Sequence, residues 1–188
     1  KLVVKPGIYR DSATLAQIRN YVTVTGETTN RGDVQLIYPY AYFAPPANVF
    51  TAGTLRIESD DVTVRDITLD NIIYYPYSPT GRPEDTNAAL NGATNTIATT
   101  GDRIVFDNVL VKGGQDTIYN IFGIVYFHNS EIWGSVDFIY GKALAVYDQC
   151  RIVEIRSTGG PVGAPNTVKA QPHGLVFLDC DFPRALVA

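Results

Sequence analysis

A short phrase returns along the second half of this chain at a nearly constant interval. It reads Ile104-Val-Phe-Asp-Asn-Val109, then Val125-Tyr-Phe-His-Asn-Ser130, then Ala145-Val-Tyr-Asp-Gln-Cys150, then Leu175-Val-Phe-Leu-Asp-Cys180. Each copy runs apolar, apolar, aromatic, any residue, Asn/Gln/Asp, small. The polar fifth position falls at Asn108, Asn129, Gln149 and Asp179, so the steps are 21, 20 and 30 residues. A looser copy, Val62-Thr-Val-Arg-Asp66, sits 42 residues before Asn108, two steps of 21. Self-similarity at this period is the mark of a solenoid. The runs are short, rich in β-branched and aromatic residues and bounded by turn formers, which argues for strands rather than helices. The expectation is an all-β parallel solenoid whose repeats stack in register.

The same period governs two acidic residues. Gly113-Gly-Gln-Asp-Thr-Ile-Tyr119 and Gly134-Ser-Val-Asp-Phe-Ile-Tyr-Gly141 place Asp116 and Asp137 21 residues apart. In a parallel solenoid, residues one repeat apart lie about 4.8 Å from each other. Two carboxylates on adjacent coils do not ionise independently, and the pair titrates as a unit. That suits one nucleophile and one acid/base. On spacing alone, a pair of turn aspartates set by the repeat remains open, because every residue of a solenoid has stacked neighbours.

The 188 residues suffice for one domain with a substantial core, and 45% of them are apolar, unlike a disordered chain. A net charge of −4 and a pI near 5.1 argue against general nucleic-acid or anionic-membrane binding. No apolar run approaches the length of a membrane span. Twelve Tyr and eight Phe, with one Trp and no Met, favour β structure and aromatic surfaces facing sugar.

In order, Leu2–Val4 reads as a strand, followed by a Pro-Gly turn, a short run to Ile18 and a strand over 21–25. Residues 33–48, rich in Tyr, Pro and Ala, read as a loop; Tyr38, Tyr40, Tyr42 and Phe43 either pack down or line a groove. The alternation of Leu55, Ile57, Val62, Val64, Ile67 and Leu69 predicts half-buried strands. Residues 72–86, with Tyr74, Tyr75 and Tyr77, read as a second loop, and residues 156–166 as a third that accounts for the 30-residue step. Cys150 and Cys180 share the sixth repeat position, as buried thiols or as a disulfide. Of the two histidines, His128 is expected to point outward and His173 follows Pro172 ahead of a strand. No nucleophile elbow, phosphate-binding loop or dinucleotide fingerprint is present. The adjacent acidic pairs, Asp60-Asp61 and Glu84-Asp85, read as solvated turns.

Gly-x-Gln-Asp-Thr-x-Tyr, followed some twenty residues later by Gly-x-Val-Asp-Phe-Ile-Tyr-Gly, resembles the pectin methylesterases, a carbohydrate-esterase family. Val4-Lys-Pro-Gly-Ile-Tyr-Arg10, Ala52-Gly-Thr-Leu55, Val64-Arg-Asp-Ile-Thr-Leu-Asp-Asn71 and Gly101-Asp-Arg-Ile-Val-Phe106 extend the resemblance through nearly the whole chain. It implies a single-stranded right-handed parallel β-helix over 1–188 that hydrolyses methyl esters of polygalacturonate without a metal or other cofactor. By the same resemblance Asp137 is the nucleophile, Asp116 the general acid and then base, and Gln115 the amide donor to the oxyanion. Thr54, Tyr119, Val136 and Tyr140 match substrate-contacting positions, with Tyr140 where Phe is usual. The expected partner is pectin, with no nucleic acid or membrane. The protein is expected to be a monomer, secreted or in the cell envelope.

Three departures from the family pattern stand out. A glutamine that supplies a second oxyanion donor is replaced by Ala93 in a gap-free count, with Asn91 or Asn95 as shorter stand-ins. The family's Leu-Gly-Arg-Pro-Trp motif is missing, and Arg184 sits in a different context. The family's opening segment is missing too, so these residues are expected to be an excerpt lacking coils at both ends. The alternatives are a relative with altered or lost esterase activity that acts on another ester or only binds polysaccharide, and a solenoid with no chemistry.

Overall fold

The computed structural model describes residues 1–38, 51, 53–72, 95–156 and 159–185. The strands fall into coils of three. The first coil holds β1 (Leu2–Val4), β2 (Gly7–Tyr9) and β3 (Ala13–Leu15); the second β4 (Thr23–Gly26), β5 (Val34–Ile37) and β6 (Gly53–Ile57). The third holds β7 (Val62–Arg65), β8 (Thr68–Asp70) and β9 (Asn95–Thr99); the fourth β10 (Ile104–Asp107), β11 (Leu110–Lys112) and β12 (Ile118–Asn120). The fifth holds β13 (Ile124–His128), β14 (Glu131–Gly134) and β15 (Ile139–Gly141); the sixth β16 (Leu144–Asp148), β17 (Arg151–Glu154) and β18 (Gly163–Pro165), before β19 (Leu175–Leu178) opens a seventh.

Every coil adds one strand to each of three parallel sheets. One sheet has seven strands in the order β1-β4-β7-β10-β13-β16-β19, and two have six. The chain is a parallel β-helix, and the period read from the sequence is one circuit of it. The repeat is in register: Phe106 pairs with Phe127, Phe127 with Tyr147, and Tyr147 with Phe177. The rings stack face to face, 4.5, 4.8 and 5.1 Å apart in turn, which fills the lumen with one continuous aromatic column. Ile104, Val125 and Ala145 form a second buried column of the same parity, all at 0% exposure. One chain of polar groups pairs within the interior: Thr99 Oγ1 donates to Asn120 Oδ1, and Asn120 Nδ2 donates to the Tyr147 hydroxyl. Burial pushes the Tyr147 phenol up.

The polar fifth position proves to be a corner. Asp66, Asn108, Asn129, Gln149 and Asp179 all adopt left-handed backbone, with φ between 46 and 59°. Asn and Asp are the side chains that tolerate this region best, which explains their recurrence there.

Two expected loops contain strands. Val34–Ile37 pairs on both sides, with β2 and with β8. Its four residues are drawn into the sheet by neighbours that the sequence does not show to be adjacent. Gly163–Pro165 is β18, paired with β15; Gly-Ala-Pro carries no alternation, so only backbone pairing reveals it. The early run contains β2 and β3, and the strand expected from residue 21 begins at Thr23. Tyr40, Tyr42, Phe43, Tyr74, Tyr75, Tyr77, Glu84, Asp85, Asn91 and Ala93 lie outside the described residues. Both cysteines are thiols. Cys150 is buried, which pushes its pKa up to about 12. His128 does face outward, 39% exposed, against Asp107 at 2.9 Å. Asp61 belongs to a paired turn, where Arg103 holds its carboxyl below the usual range. Among the described residues no helix is long and apolar enough to cross a membrane.

Candidate active site

The two aspartates sit on equivalent corners of neighbouring coils. Asp116 lies between β11 and β12, and Asp137 between β14 and β15. Both are left-handed, with φ of 62° and 48°. Each backbone is tied to the following coil: Asp116 N–H donates to Val136 O at 3.1 Å, and Asp137 N–H to Pro161 O at 2.7 Å. Two residues on, Ile118 pairs with Ile139. The register therefore places the backbones of the two aspartates one strand spacing apart, about 4.8 Å along the stack.

Close packing makes this corner possible. A Cβ on Gly113 would lie 2.6 Å from Thr117 Oγ1, and a Cβ on Gly134 would lie 2.2 Å from Phe138 Cβ. Only glycine admits these approaches, and the two glycines are themselves one repeat apart. Thr117 donates its hydroxyl to Gly114 O at 2.9 Å and Ser135 N–H donates to the same carbonyl at 3.1 Å, which pins the turn below the carboxylates. Phe138 is fully buried beneath Asp137.

Asp116, Asp137, Gln115 and Val136 are partly exposed together on this edge. Beside them, Tyr119 and Tyr140 pair in register on the outer side of their sheet, with rings 4.3 Å apart and 4° from parallel. Burial raises the Tyr119 phenol above its usual value. The Tyr140 hydroxyl donates to Asn95 Oδ1 at 2.7 Å. Lys112, two residues before Gly114, reaches Asp70 at 3.4 Å; burial raises the Asp70 carboxyl, and the lysine opposes that rise.

The structure thus gathers six of the seven residues singled out from the sequence. Thr54 is the exception. It is fully buried and its hydroxyl donates to Asp70 O at 3.2 Å, a bond that braces two coils. Asn95, named in the sequence only as a stand-in amide, is joined to this wall through the Tyr140 hydroxyl. Its signal was the repeat: it precedes Ile97 by two residues as the aspartates precede Ile118 and Ile139. On the far side of Asp137, Glu154 is buried, accepts Arg156 N–H at 2.6 Å and neighbours Arg184. Burial pushes its carboxyl up against the opposing pull of those partners. Among the described residues, no three His, Cys, Asp or Glu side chains cluster as metal ligands.

Two carboxylates on equivalent corners of neighbouring coils, an adjacent amide and an aromatic wall are groups of the kind that acyl transfer from an ester uses. The sequence matches the family model described as Pectinesterase over residues 1–181. It is 26% identical over 187 residues to the pectinesterase QRT1 of Arabidopsis thaliana, covering 96% of this chain and 47% of that protein. It is 28% identical over 206 residues to a pectinesterase of Ralstonia nicotianae, covering 95% of this chain and 50% of that one. The chain spans about half the length of the curated relatives it matches. Among solved structures, the pectin methylesterase from Yersinia enterocolitica superposes with a TM-score of 0.84 at 26% identity, over 98% of this chain and 60% of that one. The carrot pectin methylesterase shares the fold, with a TM-score of 0.81 at 21% identity, over 97% of this chain and 53% of that one.

Proposed function

Because the chain belongs to the pectinesterase family, we propose that it de-esterifies pectin, hydrolysing methyl esters of polygalacturonate with Asp137 as nucleophile and Asp116 as acid/base. The observation that carries this reading is the pair of left-handed aspartates on one corner of adjacent coils, with Gln115 beside them and stacked tyrosines along the edge. The Asp137 carboxylate attacks the ester carbonyl, and Gln115 donates its amide to the oxyanion. As the tetrahedral intermediate collapses, the C–O bond to methanol breaks and Asp116 supplies the proton. The sugar is then held as an anhydride with Asp137. Asp116, now ionised, takes a proton from water, which attacks and frees the galacturonate carboxylate. Tyr119, Tyr140 and Val136 form the surface on which the sugar lies. No step calls for a metal. The same reading carries a secreted or cell-envelope location and a monomer that binds the polymer.

Substitution in the full-length protein separates the two roles. Asp137→Asn keeps the shape and removes the nucleophile, so methanol release nearly vanishes. Asp116→Asn leaves the nucleophile but removes the proton donor. Hydrolysis of methyl esters falls by roughly 10²–10⁴, while a small nitrophenyl ester, whose leaving group needs no proton, retains part of its acylation burst and stalls at deacylation. A normal burst from Asp137→Asn reverses the assignment, and wild-type turnover from either variant removes the pair from the mechanism. A second reading, action on a different ester, is favoured by Ala93 in place of the usual glutamine; turnover of acetylated but not methylated pectin would establish it.

A further inference from the structure

Three polar side chains, not two, share one register position on successive coils. Ile97 pairs with Ile118, and Ile118 with Ile139. Counting back two residues from each puts Asn95, Asp116 and Asp137 at one position on successive coils. Asn95 is extended within β9, whereas both aspartates are left-handed. Asn95 is also fully buried, at 0% exposure. It is held from two directions. Asn71 Nδ2 donates to its carbonyl at 3.1 Å, and the Tyr140 hydroxyl donates to its Oδ1 at 2.7 Å.

Tyr140 belongs to the coil of Asp137. Its hydroxyl reaches back two coils to Asn95, while its ring lies flat on Tyr119, on the coil of Asp116. One hydrogen bond therefore ties the first rung to the coil of the third, across the middle one. It also fixes the rotation of the amide: with Oδ1 turned to the phenol, the NH2 end is turned away from it. The Tyr140 ring is left for the sugar, but its hydroxyl is engaged inside the site.

We infer that Asn95 is a positioning residue for Asp116: its carboxamide, locked by the Tyr140 hydroxyl, forms the wall against which Asp116 handles the proton of the departing alcohol. The inference rests on the esterase reading, with a methyl ester of a polymeric uronic acid as substrate. Asn95 acts on turnover through Asp116, and the Tyr140 hydroxyl acts through Asn95.

The test is a double-mutant cycle in the full-length protein on methylated pectin, with kcat, KM and thermal stability read for each variant. Tyr140→Phe, which deletes one oxygen atom, lowers kcat roughly tenfold and leaves KM within about twofold. Asn95→Ala lowers kcat at least as much, and the double variant is no worse than Asn95→Ala alone. Asn95→Asp keeps an acceptor for the hydroxyl but replaces the donor end with a second acceptor; it loses kcat while folding normally. If Asn95→Asp unfolds, the cycle with Tyr140→Phe still decides. Unchanged kcat in Tyr140→Phe, an effect on KM alone, additive losses in the cycle, or wild-type turnover in a folded Asn95→Asp would each overturn the inference. Wild-type protein with no activity on methylated pectin overturns the esterase reading itself, whereas an active wild type with unaffected variants overturns this inference alone.

Discussion

Left-handed corners are the residue-scale device on which the coil depends. Gln149 occupies one with φ 52°, although its side chain lacks the local hydrogen bonding that eases Asn and Asp into this region. Gln149→Gly is expected to raise stability by up to about 1 kcal/mol and Gln149→Val to lower it by about 1–2 kcal/mol, measured by urea unfolding. Glu154 gives a pH signature. Burial raises its folded-state pKa above the ordinary value, so its contribution is full below the unfolded pKa and is lost as pH rises through the folded one. Glu154→Gln removes the cost of burying the ionised form. The variant should melt higher than wild type near neutrality, and the difference should shrink as pH falls below the ordinary carboxylate value of 4.5. A gap that widens in acid would contradict the assignment. The sequence displayed the corners as a recurring Asn/Asp without saying what the residue was for. Asn95 was read only as a stand-in amide because its neighbours before the strand share no motif with the aspartates, and the pairing of Ile97 with Ile118 is what aligns it.

At the scale of the strand, the aromatic column carries the packing. Phe127 lies between Phe106 and Tyr147, fully buried, with a stacked ring on either side. Phe127→Ala is expected to cost about 3–5 kcal/mol; Tyr126→Ala on the same strand, partly exposed and held by a bond to Asp148, should cost far less. Equal losses in urea unfolding would mean that the column does not dominate. These strands were legible because their alternation matches their burial: Ile104, Phe106, Val125 and Phe127 face in while Val105 and Tyr126 do not. The strands β5 and β18 were hidden for opposite reasons. The apolar run of β5 leads straight into a Tyr-Pro segment that reads as loop, and β18 is nearly without side chains. In both, the deciding force is hydrogen bonding to a neighbouring coil, which a local reading of sequence does not contain.

Across the whole molecule, strand pairing among the described residues joins each coil only to the coils before and after it, so stability is approximately a sum of coil and interface contributions. The repeat made this architecture readable from four copies of one phrase, and the spacing of Asp116 and Asp137 followed from it. What it did not reveal is which side chains crowd the corner from other coils, as Tyr140 does. The step of 30 residues between Gln149 and Asp179 is instructive here. The chain takes a longer route, yet Ala145 still pairs with Leu175 and Tyr147 with Phe177. Excess length is shed sideways at the corners and never enters the axis. The hydrogen-bond ladder thus works as a gauge block, setting the rise from one aspartate to the next by the thickness of a backbone, whatever lies between them in the chain. A lineage is free to insert and delete in its outer loops, while the spacing of the two aspartates along the stack is inherited unchanged.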